Sequence, residues 1–373
     1  PYYFRSLGNV NASGYNGTTV AAGAASNGGG SYGGQGGTQT ATTYNNKPYG
    51  SFAAPLYLGS SGSCPDGVYP CPDTGGGAIR LNVSGTAAIS GTISANGTSV
   101  YNSGGSGGSI YVQTGTLSGT GLMRANGTLA SVAGYGAGGG GRIAVYYTTA
   151  QNNWAAASTE ISGLQAYGGT STAGSATYTP GSEGTIYFKG ASQTYGDMIL
   201  NNNGTVPNLS TQFYLPAANT SSAITTSSIS GASAFGNVYS NLANFFAGFY
   251  INPNINQNVS AKLSDDTMFL ISSNTVNTAT VATTGMTSVG SPGNTFSVVA
   301  IFDNFEVRQK AKVTGGAVEV ISGDVSSNNT TAFVQDGTMN FTELDVGPNV
   351  TWTTTANAAG TVTQKCAANY ACP

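Results

Sequence analysis

Hydrophobic and polar residues alternate over short stretches along most of the chain, and glycine or asparagine closes each stretch. In the first half one such stretch recurs. It reads Gly75-Gly76-Gly77-Ala78-Ile79-Arg80-Leu81-Asn82-Val83, then Gly107-Gly108-Ser109-Ile110-Tyr111-Val112. It returns as Gly140-Gly141-Arg142-Ile143-Ala144-Val145-Tyr146 and as Glu183-Gly184-Thr185-Ile186-Tyr187-Phe188. A second motif falls between the copies: Ser94-Ala95-Asn96-Gly97-Thr98, Arg124-Ala125-Asn126-Gly127-Thr128 and, more loosely, Gln165-Ala166-Tyr167-Gly168-Gly169. Ile79 and Ile110 are 31 residues apart, Ile110 and Ile143 are 33 apart. Period-two alternation with Gly/Asn turns predicts short strands, two or more per repeat. Such a unit cannot bury its inner face alone, but copies stacked at about 4.8 Å per rung can. The expected fold is all-β, a right-handed parallel β-helix with glycine-rich corners and long loops. A glycine cluster before each strand suits a tight corner, where φ is positive and backbones approach closely.

Of 56 glycines, 42 lie in residues 1–190, which divides the chain into a glycine-rich part (1–190) and a glycine-poorer part (191–373). The second part keeps the same grammar, so it is expected to continue the same β-helix. Between Phe302 and Val313, residues Phe305, Val307, Ala311 and Val313 fall on one face, and Glu306, Arg308, Lys310 and Lys312 on the other, which reads as a solvated ladder of charges. No Pro/Gly linker separates the parts, and the low-complexity stretch from Thr220 to Ser233 is the weakest join. The best helix candidate, Ala150 to Thr159, is at most a short excursion.

The cluster Gly28-Gly29-Gly30-Ser31-Tyr32-Gly33-Gly34-Gln35-Gly36-Gly37, with Tyr49-Gly50-Ser51, Leu56-Tyr57-Leu58-Gly59-Ser60, Gly75 to Leu81 and the Gly-Gly-Arg-Ile-Ala-Val-Tyr-Tyr element, resembles the glycine-rich β-helical repeats of large bacterial surface and secreted proteins. The resemblance spans most of residues 28–200 and, more loosely, 300–325. It implies a β-helical fold and an extracellular, adhesin-like setting, and it implies no activity. Residues 205–300 resemble nothing in that group.

Composition narrows the chemistry. Only 7% of residues are charged, against about a quarter in ordinary soluble proteins, and histidine is absent. With 11 basic side chains and a net charge of -3 there is no footprint for nucleic acid or an anionic membrane. Without histidine, His-dependent triads and most zinc sites are excluded. Disorder is a poor reading, because 21 Tyr and 14 Phe need somewhere to pack. The glycine clusters are not phosphate loops: none is followed by Lys-Ser/Thr or opens a helix. A polysaccharide-cleaving site needs converging carboxylates, and only 14 acids exist. Asp265-Asp266 reads as a turn, with a structural calcium the one metal role left open. No catalytic, cofactor or metal residue is assigned, and no enzyme is expected. Exposed Tyr and Asn on a flat β face could stack sugars.

The cysteines fall in two close pairs, Cys64 with Cys71 and Cys366 with Cys372. Two local disulfides are the simpler reading, each worth roughly 2.5 kcal/mol by chain entropy, and they place the protein in an oxidising compartment. No run of eighteen apolar residues occurs, so no helix is expected to span a membrane. A chain starting at Pro1 reads as a processed product or part of a longer one. Thirteen Asn-x-Ser/Thr sequons occur, at Asn11, Asn16, Asn82, Asn96, Asn126, Asn203, Asn208, Asn219, Asn258, Asn328, Asn329, Asn340 and Asn349. They are possible glycosylation sites, or simply the turn and strand-face residues that this composition supplies in abundance. The apolar N-terminus, with Tyr2, Tyr3, Phe4 and Leu7, does not look like a protective cap. It is a candidate strand for pairing with a neighbouring copy; the plainer reading is pairing within its own chain.

The function expected from these features is an extracellular structural protein, the self-assembling subunit of a surface filament or matrix fibre. A surface adhesin binding carbohydrate or a host is the alternative, and a polysaccharide-active β-helix enzyme a more distant one. The cysteine pairing has a direct check. Mass spectrometry of unreduced proteolytic peptides is expected to find Cys64–Cys71 and Cys366–Cys372 links, and crossed links or free thiols would overturn both.

Overall fold

Isoleucines at matched positions of the repeat bring the strands into register. The computed structural model describes residues 3–6, 9–11, 27–38, 47–63, 73–99, 102–132, 134–151, 154, 163–170, 179–207, 209, 211–213, 219–236, 244–257, 266–327 and 338–354; for 3–6, 9–11, 212–213, 314–327 and 338–354 it describes the backbone alone. The first part contains β1 (Tyr3–Ser6), β2 (Asn9–Asn11), β3 (Ala78–Ile89), β4 (Thr92–Ser94), β5 (Ser109–Ser118), β6 (Leu122–Arg124), β7 (Arg142–Ala150), β8 (Leu164–Gln165) and β9 (Thr185–Gly190). The odd-numbered strands pair in parallel in the order β1-β3-β5-β7-β9, and the even-numbered ones form a second parallel sheet, β2-β4-β6-β8. Ile79, Ile110, Ile143 and Ile186 stand in one row, and Leu81, Val112, Val145 and Phe188 in the next. Ile93, Met123 and Leu164 make the facing row of the second sheet. These rows meet in one aliphatic core that also takes in Trp154, and each fully buried side chain contributes roughly 1.5–3 kcal/mol.

The glycine clusters do something other than turn corners. Along residues 136–141 successive N–H groups donate in three directions that repeat every third residue. Gly136 and Gly139 donate to the Asn27 and Gly30 carbonyls, at 2.7 and 2.9 Å. Ala137 and Gly140 donate to Thr179 and Ser182, at 3.0 and 2.9 Å, and Gly138 and Gly141 to Thr128 and Ala125, at 2.9 and 2.7 Å. The carbonyls of the same segment accept from Gly104 and Gly107, from Gly33, Gly34 and Gly37, and from Gly169. A three-residue period with every bond going outward is the pattern of an extended threefold helix of the polyproline II type, here written in glycine. One such segment is thus bonded to six neighbours. A Cβ built on Gly136, Gly138, Gly139 or Gly141 would lie 1.8, 2.0, 2.2 or 2.1 Å from a neighbouring carbonyl oxygen.

This corrects the expected glycine corners. Positive φ occurs at Gly50, Gly119, Gly134, Gly196, Gly204, Gly248, Gly285 and Gly293, and at none of the described Gly-Gly clusters. The clusters are glycine because backbones pack against backbones there, with no room for a side chain.

The second part contains β10 (Asp197–Asn201), β11 (Thr211–Phe213), β12 (Asn219–Thr220), β13 (Ala223–Ile224), β14 (Ser228–Ser230), β15 (Tyr250–Asn252), β16 (Phe269–Asn274), β17 (Thr278–Val281), β18 (Thr295–Phe302), β19 (Asn304–Arg308), β20 (Lys312–Ser327) and β21 (Thr338–Thr354). β9 and β10 are an antiparallel hairpin. Beyond it the main sheet runs β10-β19-β20-β21, all parallel to one another. Strand direction therefore reverses at the hairpin, so β10, β19, β20 and β21 run opposite to β3, β5, β7 and β9. Strands β12 to β17 form an antiparallel layer with β18, whose end at Ala300–Phe302 joins β20 in parallel.

That layer covers the outer face of the main sheet. The Phe52 ring lies 4.8 Å from Phe249, 5.2 Å from Phe302 and 5.2 Å from Tyr187, and the same cluster holds Tyr32, Tyr49, Met198, Phe305 and Val313. The two parts share this core, so residue 190 marks a change of strand direction within one body. Strands with both faces covered are apolar throughout. The expected solvated row consequently fails: Glu306 and Arg308 are buried and paired with each other. Their side of β19 continues the inner face, since Ile199 is the register partner of Glu306, and left-handed residues at Gln309 and Lys310 end the alternation. Among the described residues there is no α-helix; 3-10 structure occurs at Met286–Ser288 and at Trp154, and most of the helix candidate at 150–159 lies outside the described residues.

The glycine packing predicts a steep penalty. Gly139→Ala must displace the Gly34 carbonyl, a backbone group that cannot yield without losing bonds, and is expected to cost about 3 kcal/mol or more. Gly204→Ala, at φ 75° with nothing within 4 Å, is expected to cost about 1 kcal/mol. Chemical denaturation checks both, and equal costs would show that the array is not close-packed.

Candidate functional site

The Ala-Asn-Gly-Thr motif forms a ladder on the flank of the glycine array. The Asn126 N–H donates to Asn96 Oδ1 at 2.8 Å, and the Tyr167 N–H donates to Asn126 Oδ1 at 2.8 Å. Gly168 donates to Asn202 Oδ1 at 2.8 Å, and Asn202 Nδ2 in turn donates to the Gly181 and Thr205 carbonyls. Each side-chain amide thus bonds to the next rung, as a backbone carbonyl would. Asn126 Nδ2 also donates to Gln165 Oε1 at 3.3 Å. Over this ladder lies an open groove of about 440 Å³, lined by Asn96, Ser99, Asn126, Thr128, Leu129, Tyr167, Thr170, Asn202, Asn203 and Thr205 with intervening glycines. Its side chains are amides, hydroxyls, one leucine and one tyrosine, and none is charged.

Charged groups are placed elsewhere, several of them inside. Arg142, from the Gly-Gly-Arg-Ile element, is buried where the glycine array meets the aromatic cluster. Its Nε donates to the Tyr49 carbonyl at 3.0 Å and Nη1 to Thr185 Oγ1 at 2.9 Å, with the guanidinium 5.6 Å from the Tyr32 ring centre. Burial lowers its pKa to about 10, the Tyr32 and Tyr49 phenols opposing the shift, so it stays charged at neutral pH. It ties residues 47–57 to the main sheet. Asp303 Oδ2 accepts the Tyr195 and Gly196 N–H groups at 3.0 and 2.8 Å. Asp197 Oδ1 accepts from Gln193 Nε2 at 2.7 Å and Asn304 Nδ2 at 2.5 Å. These two carboxylates meet at the β9–β10 hairpin and clamp it. The charged residues between Asp303 and Lys312 are thus divided: Asp303 serves the hairpin, Glu306 pairs with Arg308, and Lys312 Nζ donates to the Pro207 carbonyl at 3.0 Å.

An aromatic row crosses the outer face of the main sheet, with Arg80 5.2 Å over Tyr111, Tyr111 5.5 Å from Tyr146 and Tyr146 5.7 Å from Tyr187. It is no open strip. Tyr187 is 5% exposed, and Tyr146, half-buried, donates to the Ala53 carbonyl at 2.7 Å.

Of the residues singled out from sequence, Cys64, Cys71, Cys366, Cys372, Tyr2, Leu7, Asp265, Asn16, Asn208, Asn258, Asn328 and Asn329 lie outside the described residues. Tyr3 and Phe4 belong to β1, which pairs in parallel with Thr86 and Ala87 of the same chain; the N-terminal strand is a rung of the sheet, not a free strand. Asn82 and Asn203 are exposed; Asn96 and Asn126 are half-buried in the ladder; Asn219 is half-buried in β12. Asn11 lies in β2, and Asn340 and Asn349 in β21. Asp266 accepts a bond from Asn252 Nδ2 at 2.6 Å. The groove went unforeseen, although its signal was present: one repeat position holds Asn96, Asn126 and Tyr167 in turn. Among the described residues no three potential metal ligands cluster, and no helix is long and apolar enough to cross a membrane. Comparisons with protein-family models, curated proteins and solved structures returned no match.

One buried acid gives the fold a pH dependence. Glu183 closes the glycine segment before β9; its Oε1 accepts the Lys312 N–H at 3.0 Å, while Oε2 is buried without a partner. Burial raises its pKa to about 8, only partly opposed by hydrogen bonds and by Lys312. The folded chain holds this proton after the unfolded chain has released it, so stability falls as pH rises from 4.5 towards 8. Asp197, also raised chiefly by burial, adds to the same slope. Denaturant midpoints across that range are expected to decline for the native chain and to flatten in Glu183→Gln; an unchanged slope would refute the assignment.

Proposed function

We propose that this chain is an extracellular structural protein, a self-assembling subunit of a surface filament or matrix fibre. In this reading residues 3–190 form a right-handed parallel β-helix of the glycine-rich kind seen in bacterial surface proteins. In-register rows of β-branched residues, spaced by one repeat, support that coil. The observation that carries the assembly reading is the state of the main sheet's two ends. Among the described residues β1 pairs only with β3, and β21 only with β20. Among the described residues, then, each end is an edge strand in a parallel stack, and in this reading it takes a further strand from a second copy. Contact between unlike ends is heterologous and propagates into a filament unless it closes. The joint is then the rung made by β1 rather than a loose N-terminal arm.

A net charge of -3 on 373 residues offers little repulsion between copies, and main-chain bonds do not depend on salt. The neutral groove over the asparagine ladder favours a second reading, a surface adhesin that binds carbohydrate.

Electron microscopy and sedimentation at low and high salt test the assembly. Filaments are expected under both conditions. Successive N–H groups of a strand point to opposite edges, so of Phe4→Pro and Arg5→Pro one removes a donor at the open edge alone. That variant is expected to keep the melting temperature of the monomer and to lose the filaments. A monodisperse monomer at high concentration, or unaltered filaments in both variants, would refute the reading.

A further inference from the structure

The groove over the asparagine ladder is not needed for stacking subunits. We propose that it is a binding site for an uncharged oligosaccharide. A neutral glycan presents pairs of hydroxyls, and amides and hydroxyls pair with these as donor and acceptor at once. An acidic polymer or a nucleic acid would call for lysine or arginine, and none lines the groove.

Three further features point to a ligand. Ser99 lines the groove, and its Oγ, shielded from solvent, lacks a hydrogen-bond partner; a change of rotamer would offer it to a sugar hydroxyl. Tyr167 stands at the repeat position that holds Asn96 and Asn126 in the two preceding rungs, which places one aromatic residue, with Leu129, among the amides and hydroxyls of the lining. Such a ring is a platform for the apolar face of a pyranose. The bonds from the Asn126 and Tyr167 N–H groups fix the Asn96 and Asn126 amides in advance, which lowers the ordering cost of binding. The dimensions agree as well. A volume of about 440 Å³ takes more than one sugar, and a rung spacing of about 4.8 Å is close to the span of a pyranose ring, so successive rungs address successive sugars.

Asn96, Asn126 and Asn203 are also sequons, and a glycan attached there would fill the groove covalently. Intact-mass measurement with peptide mapping of the native protein is therefore the first step, and a glycan at Asn96, Asn126 or Asn203 would overturn the proposal. The unmodified chain is then titrated calorimetrically with cellotetraose, chitotetraose, mannotetraose and, as an acidic control, tetragalacturonate. At least one neutral tetramer is expected to bind, and the acidic one to bind at least tenfold more weakly. Tyr167→Ala is expected to lower affinity at least tenfold at an unchanged melting temperature, Tyr167→Phe to retain it, and Ser99→Ala to lower it several-fold. If Tyr167→Ala fails to fold, the Tyr167→Phe and Ser99→Ala results decide. Silence with all three neutral tetramers, equal binding of the acidic one, or affinities untouched in both Tyr167→Ala and Ser99→Ala would refute the site. None of these outcomes bears on filament formation, which the two proline variants test separately.

Discussion

Close approach of backbone to backbone is the constraint on which the rest of this structure depends. Where chains such as 28–30, 33–37, 104–108 and 136–141 run side by side, a Cβ would fall inside a neighbouring carbonyl. Glycine is the residue that fits, and once it is present each N–H and C=O can be satisfied by a different neighbour. The result is a region held by main-chain hydrogen bonds with almost no side-chain burial. Each bond adds only about 0.5–1.5 kcal/mol net. The entropy lost in ordering glycine is larger than for other residues. The array is therefore tolerable only because it is continuous with strands that bury a conventional core. Ile110, Ile143 and Ile186 begin one or two residues after the clusters and place those strands.

The main sheet joins the two kinds of packing. Its inner face closes the aliphatic core, and its outer face carries the aromatic cluster that residues 47–57 and the antiparallel layer cover. A parallel sheet is stable when both faces are covered, and here the second cover comes from the other half of the chain. This explains why so few charges suffice and where they go. Arg142, Glu183, Asp197, Asp303, Glu306 and Arg308 are all buried, each at a seam between layers. A buried ion pair stabilises little by itself, although breaking one is costly. Their contribution is to fix how the layers join.

The groove depends on the same scaffold. An asparagine amide accepts from the next rung's backbone as a main-chain carbonyl would, so the ladder is a side-chain extension of the main-chain array. Replacing asparagine by tyrosine in the last copy ends the ladder and changes its surface from polar to amphipathic.

Much of this was legible in the sequence because it is local or periodic. Alternation around Ile79, Ile110, Ile143 and Ile186 determined the strands, their parallel register and the aliphatic row, since a period of two leaves one face to bury. The near-absence of charge and histidine likewise bounded the chemistry. Other features were decided by tertiary structure. A glycine cluster looks the same whether it turns a corner or packs in an array, because the difference lies in which distant carbonyls are near. Glu306 and Arg308 alternate like a solvated edge, and only the covering of both faces of β19 makes them interior. The reversal at the β9–β10 hairpin and the groove over Asn96, Asn126 and Tyr167 also arise between segments far apart in the chain. Periodicity reports which faces of a strand differ; what each face meets is set by packing across the whole molecule.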